Sequence, residues 1–456
     1  MLSEIFIYGA GGVAKDIIGI LESCNCKIKI NIVVTTKEKE KIGKYKIYAY
    51  NSIKKIIALS EVNFIIAISG SEAIEIKKNL MSDGVKKITM VEEFRDLLFS
   101  RLWSNPIKRN SIVFSNFDGR GYGDNPKYIC DKIDKTKYQC IWLVKDENEK
   151  MPNGVRKVRY GSLEHYKELS RAKFWIDNMH KNIITKKRSG QIYIQTWHGD
   201  GPLKKIEYDS EELPSSYLNM ATHDVEMIDY FISGSKFKTE QCRRAFRYNG
   251  KILESGNPRN DIFFKNNDYK LVIYPQFKDF KWILFAPTYR DKQSNIIEPE
   301  KILQAYKKKY GKECIILIRE HPSMKTENLK YNYSDRIFNV SEFPDTQLLL
   351  AASDILITDY SSIMWDFSLQ EKPVILFHPD AVSYSNERQF YLSFNELPYF
   401  EAFNMEDVCN YIISLDTELY KYKSKLHDFF DKYESFDYGT ASDNVVNIIN
   451  ELSKEM

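Results

Sequence analysis

Several features that would settle the class of this sequence at once are missing from it. No run approaches ~18 apolar residues free of charge, so no membrane-spanning helix is expected. The opening MLSEIFIYGAGG has neither a basic n-region nor a long apolar h-region, so no secretion signal is expected. Net charge is almost absent: 66 basic against 63 acidic side chains leave +3 on 456 residues. A dedicated nucleic-acid binder would carry a marked basic excess, so nucleic acid is not an expected partner. The seven cysteines show no repeated spacing, and Cys24 and Cys26 stand without a second pair. That scatter argues against a zinc site and suits a reducing cytoplasm. Basic residues do gather locally, at Lys181, Lys186, Lys187 and Arg188 and again at Arg243, Arg244 and Arg247. Each cluster reads either as a solvated face or as a patch drawn to anionic lipid or a polyanionic acceptor at a membrane surface.

What is present is core material. Hydrophobic residues make up 43% and aromatics 14% of a chain long enough for two or three domains. Residues 1–100 read as a small Rossmann-like α/β unit. A strand at 5–8 runs into Gly9-Ala10-Gly11-Gly12, a helix follows at 13–22, and further strands fall at 28–34 and 64–68. Gly9, Gly11 and Ala14 satisfy G-x-G-x-x-A, which alone is weak support for a dinucleotide site. Thr35, Thr36 and Lys37 stand where an acidic ribose partner belongs, so NAD is not expected to bind. The unit resembles the small N-terminal domain of bacterial sugar acyltransferases. No hexapeptide-repeat half follows, so a structural or regulatory module is expected.

A boundary is read near Ser104-Asn105-Pro106, and a linker around 266–270. Between them, strands are expected at 111–114, 139–144, 173–176, 191–195 and 230–233; beyond them at 282–286, 314–318, 355–357 and 374–377. Strands alternating with helices over two halves predict two facing parallel-sheet domains, 101–270 and 271–456, with a cleft between them. Ligands of such sheets bind outside the carboxyl ends of the strands.

The chemistry-bearing segments fall at those ends. Thr196-Trp197-His198-Gly199-Asp200-Gly201-Pro202 follows the strand 191–195, which suits His198 to act as a general base, although a histidine bonding only locally in a tight turn would read the same. Its glycines admit a ligand to the backbone, and Lys204 and Lys205 follow as phosphate partners. Arg319-Glu320-His321-Pro322 ends a second strand, with Arg319 suited to phosphate and His321 to charge on a leaving oxygen. A third strand leads to Asp359-Tyr360-Ser361-Ser362, where hydroxyls and free amides suit an anion, although a plain helix cap would want the same residues.

Taken in order, QTWHG with PLKKI, GSKF, ESGNPRND, FAPTYRD, the REHP loop and LITDYSSIMWDF resemble the motif set of the CDP-glycerol glycerophosphotransferases. The segment from Phe114 to Gly119, with Asn125-Pro126, resembles that family's opening motif, and the likeness runs over about 101–456. The resemblance implies a GT-B-like pair of Rossmann domains, the second holding the nucleotide. It implies His198 as the base for an acceptor hydroxyl and His321 facing the donor diphosphate. It also implies Asp359, Ser361 and Ser362 on the donor phosphates, with Arg290 and Arg259 as further phosphate contacts. The usual WHGTP reads WHGDGP here, so Asp200 is expected to bear on acceptor choice. The implied donor is CDP-glycerol or another CDP-polyol, and the implied acceptor a polyol-phosphate or lipid-linked glycan of teichoic acid or capsule. The implied location is the inner membrane face. No dedicated metal cage is read from the sequence, and magnesium is left open. The rival reading is a nucleotide-sugar glycosyltransferase of the same fold; a non-catalytic assembly or nucleotide-sensing protein is the other.

Overall fold

A computed structural model describes residues 3–24, 27–36, 41–201, 203–211, 213–288, 297–320, 331–381 and 389–454. His321 and Arg290 lie outside these residues.

Three sheets follow one another along the chain. The first contains β1 (Ser3–Tyr8), β2 (Ile28–Val34), β3 (Lys41–Ile42), β4 (Tyr45–Ala49), β5 (Asn63–Ile66) and β6 (Lys87–Met90), in the order β3-β4-β2-β1-β5-β6. All its pairings are parallel except the short β3–β4. The middle sheet contains β7 (Lys108–Ser115), β8 (Gln139–Val144), β9 (Val155–Arg159), β10 (Ala172–Asp177), β11 (Ile192–Gln195), β12 (Tyr230–Ser233) and β13 (Lys251–Glu254). Its order is β13-β12-β11-β10-β7-β8-β9, parallel throughout. The third contains β14 (Lys281–Phe285), β15 (Cys314–Ile318), β16 (Ile337–Asn339), β17 (Ile355–Thr358), β18 (Val374–Phe377) and β19 (Phe400–Ala402), ordered β16-β15-β14-β17-β18-β19 and also parallel. The expected α/β architecture of a parallel-sheet pair behind a smaller α/β unit is what the chain adopts.

Central strands such as CIILI, ILIT and VILF are buried along their whole length, because helices cover both faces of a parallel sheet. The strands read from the sequence are these apolar ones. Those at 87–90, 155–159, 251–254 and 337–339 are polar, short or at edges, and carry no comparable signal.

Two connections decide how the sheets meet. The helix Gly12–Ser23 lies against the middle part of the chain, where a Cβ on Gly19 would come within 2.4 Å of the Gly161 carbonyl oxygen. At the other end the 29-residue helix Met405–Tyr433 is capped by Asn404, whose side chain accepts from Asp407 N. The chain then crosses back, and the last helix, Ala441–Leu452, buries Val445 and Ile449 with Ile129 and Tyr138 of the middle part. Asp261 accepts from Ala441 N (2.9 Å) and Ser442 N (2.8 Å), placing a carboxylate at that helix's positive end. The segment expected to close the third unit thus packs on the second.

Candidate functional site

The carboxyl edge of the middle sheet carries an ordered set of loops. After β10, Asp177 Oδ1 accepts from Asn178 N (2.8 Å) and Met179 N (3.0 Å). Asn178 in turn accepts from Phe117 N (2.8 Å) and donates to Asn116 Oδ1 (2.9 Å), joining the loops after β10 and β7. After β11, Trp197 takes a left-handed backbone (φ 52°), with its amide donating to Gln195 Oε1 at 2.9 Å. That turn throws His198 onto its neighbour's carbonyl: His198 Nδ1 is 2.8 Å from Asn178 O. A carbonyl only accepts, so Nδ1 carries the proton and Nε2 keeps its lone pair. The imidazole stacks on Trp197 at 4.3 Å and meets Phe117 at 5.2 Å. Burial lowers its pKa to about 4, partly offset by the bond to Asn178 and by Asp124. At neutral pH the ring is uncharged with one nitrogen ready to accept a proton.

The third sheet meets this loop at close range. A Cβ placed on Gly199 would lie 3.2 Å from Ser362 Oγ and 3.3 Å from Arg259 Nη2. A Cβ on Gly201 would fall 2.0 Å from the Trp365 ring, so the extra glycine of WHGDGP is the surface on which that indole lies. The histidine and serine loops, 163 positions apart in sequence (198 to 361), therefore sit together.

Arg259 makes that junction. It is 5% exposed, with Nη1 donating to Asp124 (2.7 Å) and to the His198 carbonyl (2.9 Å), and Nη2 donating to Asp366 (2.6 Å). Both terminal nitrogens donate to protein groups, so in this structure the guanidinium bridges three loops. Asn125 supports it, accepting from Arg259 N (3.0 Å) and donating to Trp197 O (3.1 Å).

The other expected residues divide. Asp200 is buried, accepts from Gly234 N at 2.9 Å, and has its pKa raised by that burial. It shapes the loop from inside and is not presented to an acceptor. Lys204 and Lys205 lie on a segment that pairs with 389–391 of the third part, through Lys205 N to Gln389 O (2.9 Å) and Tyr391 N to Leu203 O (2.8 Å). Arg319 donates Nη1 to the carbonyls of Val340 (3.0 Å), Ser341 (3.3 Å) and Phe343 (2.8 Å), a backbone clamp. Asp359 accepts from Thr288 N (2.9 Å), Thr288 Oγ1 (3.1 Å) and Tyr360 N (2.6 Å), so it joins the FAPT and DYSS loops. Ser361 and Ser362 are half-buried at the junction, and Ser362 makes no side-chain cap bond to the short helix Ile363–Ser368.

Two residues that no motif in the sequence marks, His180 and Asn178, also belong to this frame. His180 is buried between Asp224 (2.9 Å) and Glu207 (3.2 Å), with its ring 5.1 Å from Trp197. Burial opposes its charge, yet the two carboxylates outweigh it and raise the pKa to about 10. The available signal was polar residues Asp177-Asn178 and His180 directly after an apolar strand. The basic clusters also find internal partners. Lys186 pairs with Asp96 (2.8 Å), Lys187 with Asp229, Arg188 with the carbonyls of Trp103 and Asn105, and Arg244 with Asp209 (2.8 Å). No group of three or more His, Cys, Asp or Glu among the described residues is arranged to hold a metal ion. No helix among them is long and apolar enough to cross a membrane.

The family model for CDP-Glycerol:Poly(glycerophosphate) glycerophosphotransferase matches residues 97–451. The chain belongs to this family. Among its relatives in this glycerophosphotransferase family, the teichoic acid poly(glycerol phosphate) polymerase of Staphylococcus epidermidis is 32% identical over 375 residues, covering 76% of this chain and 52% of that protein. The polymerase of the same description from Bacillus spizizenii is 30% identical, covering 79% and 97%. The chain thus spans about half the length of some curated relatives and nearly all of others. A solved structure of the wall teichoic acid polymerase TagF, a histidine-to-alanine variant, superposes with a TM-score of 0.72 at 29% identity, covering 84% of this chain and 98% of that one. A histidine-to-asparagine variant of TagF soaked with CDPG matches at 0.71 and 30%, covering 84% and 97%. The glycerophosphotransferase match starts at residue 97, so the first sheet lies outside it.

Proposed function

We propose that this chain transfers glycerol phosphate, or a related polyol phosphate, from CDP-glycerol to a growing teichoic acid or similar cell-surface polymer. The acceptor's terminal hydroxyl oxygen attacks the polyol-bearing phosphorus, the bond from that phosphorus to the bridging oxygen breaks, and CMP leaves. The hydroxyl proton passes to His198 Nε2. The observation that carries this reading is the neutral His198, its Nδ1 held by the Asn178 carbonyl and its loop touching the serine loop. Ser361 and Ser362 are the donor-phosphate contacts, and His321 is proposed, from the REHP motif alone, to face the donor diphosphate. Arg259, Asp359 and Arg319 hold the frame that aims them. The division proposed is a small unit over 1–100, an acceptor-side unit over 101–270 and a donor-side unit over 271–456, with helix Ala441–Leu452 returning to the second. The polymer's lipid anchor brings the reaction to the inner membrane face. The test is CMP release by the purified chain from a panel of CDP-polyols, with a glycerol-phosphate primer as acceptor. CMP release from CDP-glycerol is expected; no CMP from any CDP-polyol, with nucleoside diphosphate released from an added nucleotide sugar instead, would replace this reading with a glycosyltransferase.

A further inference from the structure

A cavity of about 640 Å³ separates the helix Gly12–Ser23 from the carboxyl edge of the middle sheet, away from the serine loop. One wall is Lys15 and Asp16; the floor is Asp118 after β7, Lys145 after β8, Arg159 at the end of β9 and Met179 after β10. Its carboxylates are engaged. Asp16 is buried and accepts from Tyr166 Oη (2.9 Å) and the Asn182 amide, and Asp118 accepts from Tyr160 Oη (3.3 Å). Lys44 is paired with Glu22 at 2.8 Å, whereas Lys15, Lys145 and Arg159 form no ion pair among the described residues. These three cations line this cavity together with Lys44, outnumbering Asp16, Asp118 and Glu22, and make a setting for phosphate.

The floor is built from the residues next to those that hold the His198 ring. Asp118 follows Phe117, whose ring is 5.2 Å from His198, and Met179 follows Asn178, whose carbonyl holds His198. We propose that this cavity binds the acceptor, an anionic polyol-phosphate chain whose phosphates meet Lys15, Lys145 and Arg159 while its terminal hydroxyl reaches His198. The inference rests on the transferase reading. It also gives the first hundred residues a role, since they supply one wall of the acceptor site.

The test is anisotropy of a fluorescent short glycerol-phosphate oligomer with the full chain and no donor. Saturable binding is expected, weakened at least about tenfold in Lys15→Glu and in Lys145→Glu, since each removes a charge-assisted bond. Both side chains are exposed. Because Lys145 acts on Asp118 and Asp16, Lys145→Gln, which adds no third carboxylate, is measured beside Lys145→Glu. It should weaken oligomer binding with a melting temperature matching wild type. Unchanged oligomer affinity in both variants overturns the proposal. So does displacement by CDP-glycerol, which would mark a donor site, or by anionic phospholipid vesicles, which would mark a headgroup site. A chain that binds oligomer in this way but releases no CMP keeps the site and loses the transferase reading. Normal CMP release with unaltered oligomer binding in both variants keeps the reaction and loses the site.

Discussion

At the scale of single residues, the site depends on which nitrogen of His198 is free. Asn178 O occupies Nδ1, so His198→Ala should lower turnover by roughly 100- to 10,000-fold while donor affinity stays within a few-fold. Single-turnover CMP release beside donor titration checks both numbers. Desolvation depresses the pKa of the ring to about 4, so the base should stay competent well below its ordinary 6.5. The acid limb of kcat/KM on the free enzyme is therefore expected below about pH 5.5, nearer the depressed value. A limb centred at 6.5 would mean a solvated ring. Linkage has the matching sign: below 6.5 the unfolded chain takes up a proton that the folded ring refuses, so stability falls as pH drops from 6.5 toward 4. Arg259→Ala should abolish activity by another route. It leaves the buried Asp366 and the half-buried Asp124 without their cationic partner, at a cost of about 3–5 kcal/mol measurable by denaturant unfolding.

At the scale of elements, two loops show what local sequence can and cannot say. The serine loop precedes a helix, and a cap would suffice to explain it. Ser362 makes no cap bond, however, so Ser361→Ala with Ser362→Ala should leave the melting temperature nearly unchanged. Donor affinity should instead fall up to about a thousandfold, at roughly 1.5–3 kcal/mol per lost bond to a charged oxygen. A lowered melting temperature with intact donor binding would return these serines to a capping role. Behind the histidine loop, His180 holds the turn after β10 to Glu207 and Asp224. Its folded pKa is raised to about 10, so its contribution is complete below 6.5 and is lost as pH rises through 10. The difference in melting temperature between wild type and His180→Gln should therefore shrink from pH 6.5 toward 10. A constant difference would show that the ring is neutral in the folded protein.

At the scale of the whole molecule, the chain's last helix binds its middle to its end. Val445 and Ile449 are fully buried against the middle part, so Val445→Ala with Ile449→Ala should cost several kcal/mol, about 1–4 for each truncated side chain. If donor-side and acceptor-side parts unfold as separate transitions, calorimetry should show the double variant lowering the acceptor-side one.

Two of the three levels were largely open to a reader of the sequence. The parallel α/β architecture and the family were legible because fully buried strands must be apolar along their length, and because motifs at strand ends follow one another in order. The placement of His198 at the carboxyl end of a strand was legible for the same reason: it stands between a tryptophan and a glycine just beyond β11. The roles of Arg259, Asp359 and Arg319 were not. An arginine in a motif reads as a phosphate ligand, and only the folded chain shows Asp124, Asp366 and a carbonyl already at its nitrogens. The basic clusters were ambiguous likewise, since their carboxylate partners come from distant segments. The sequence alone determined which side chains were available and which stretches must be buried, because burial is written in apolar runs. Only the tertiary structure decided which polar groups remain unspent for a ligand, because hydrogen bonds are settled between neighbours in space that sequence separation does not reveal.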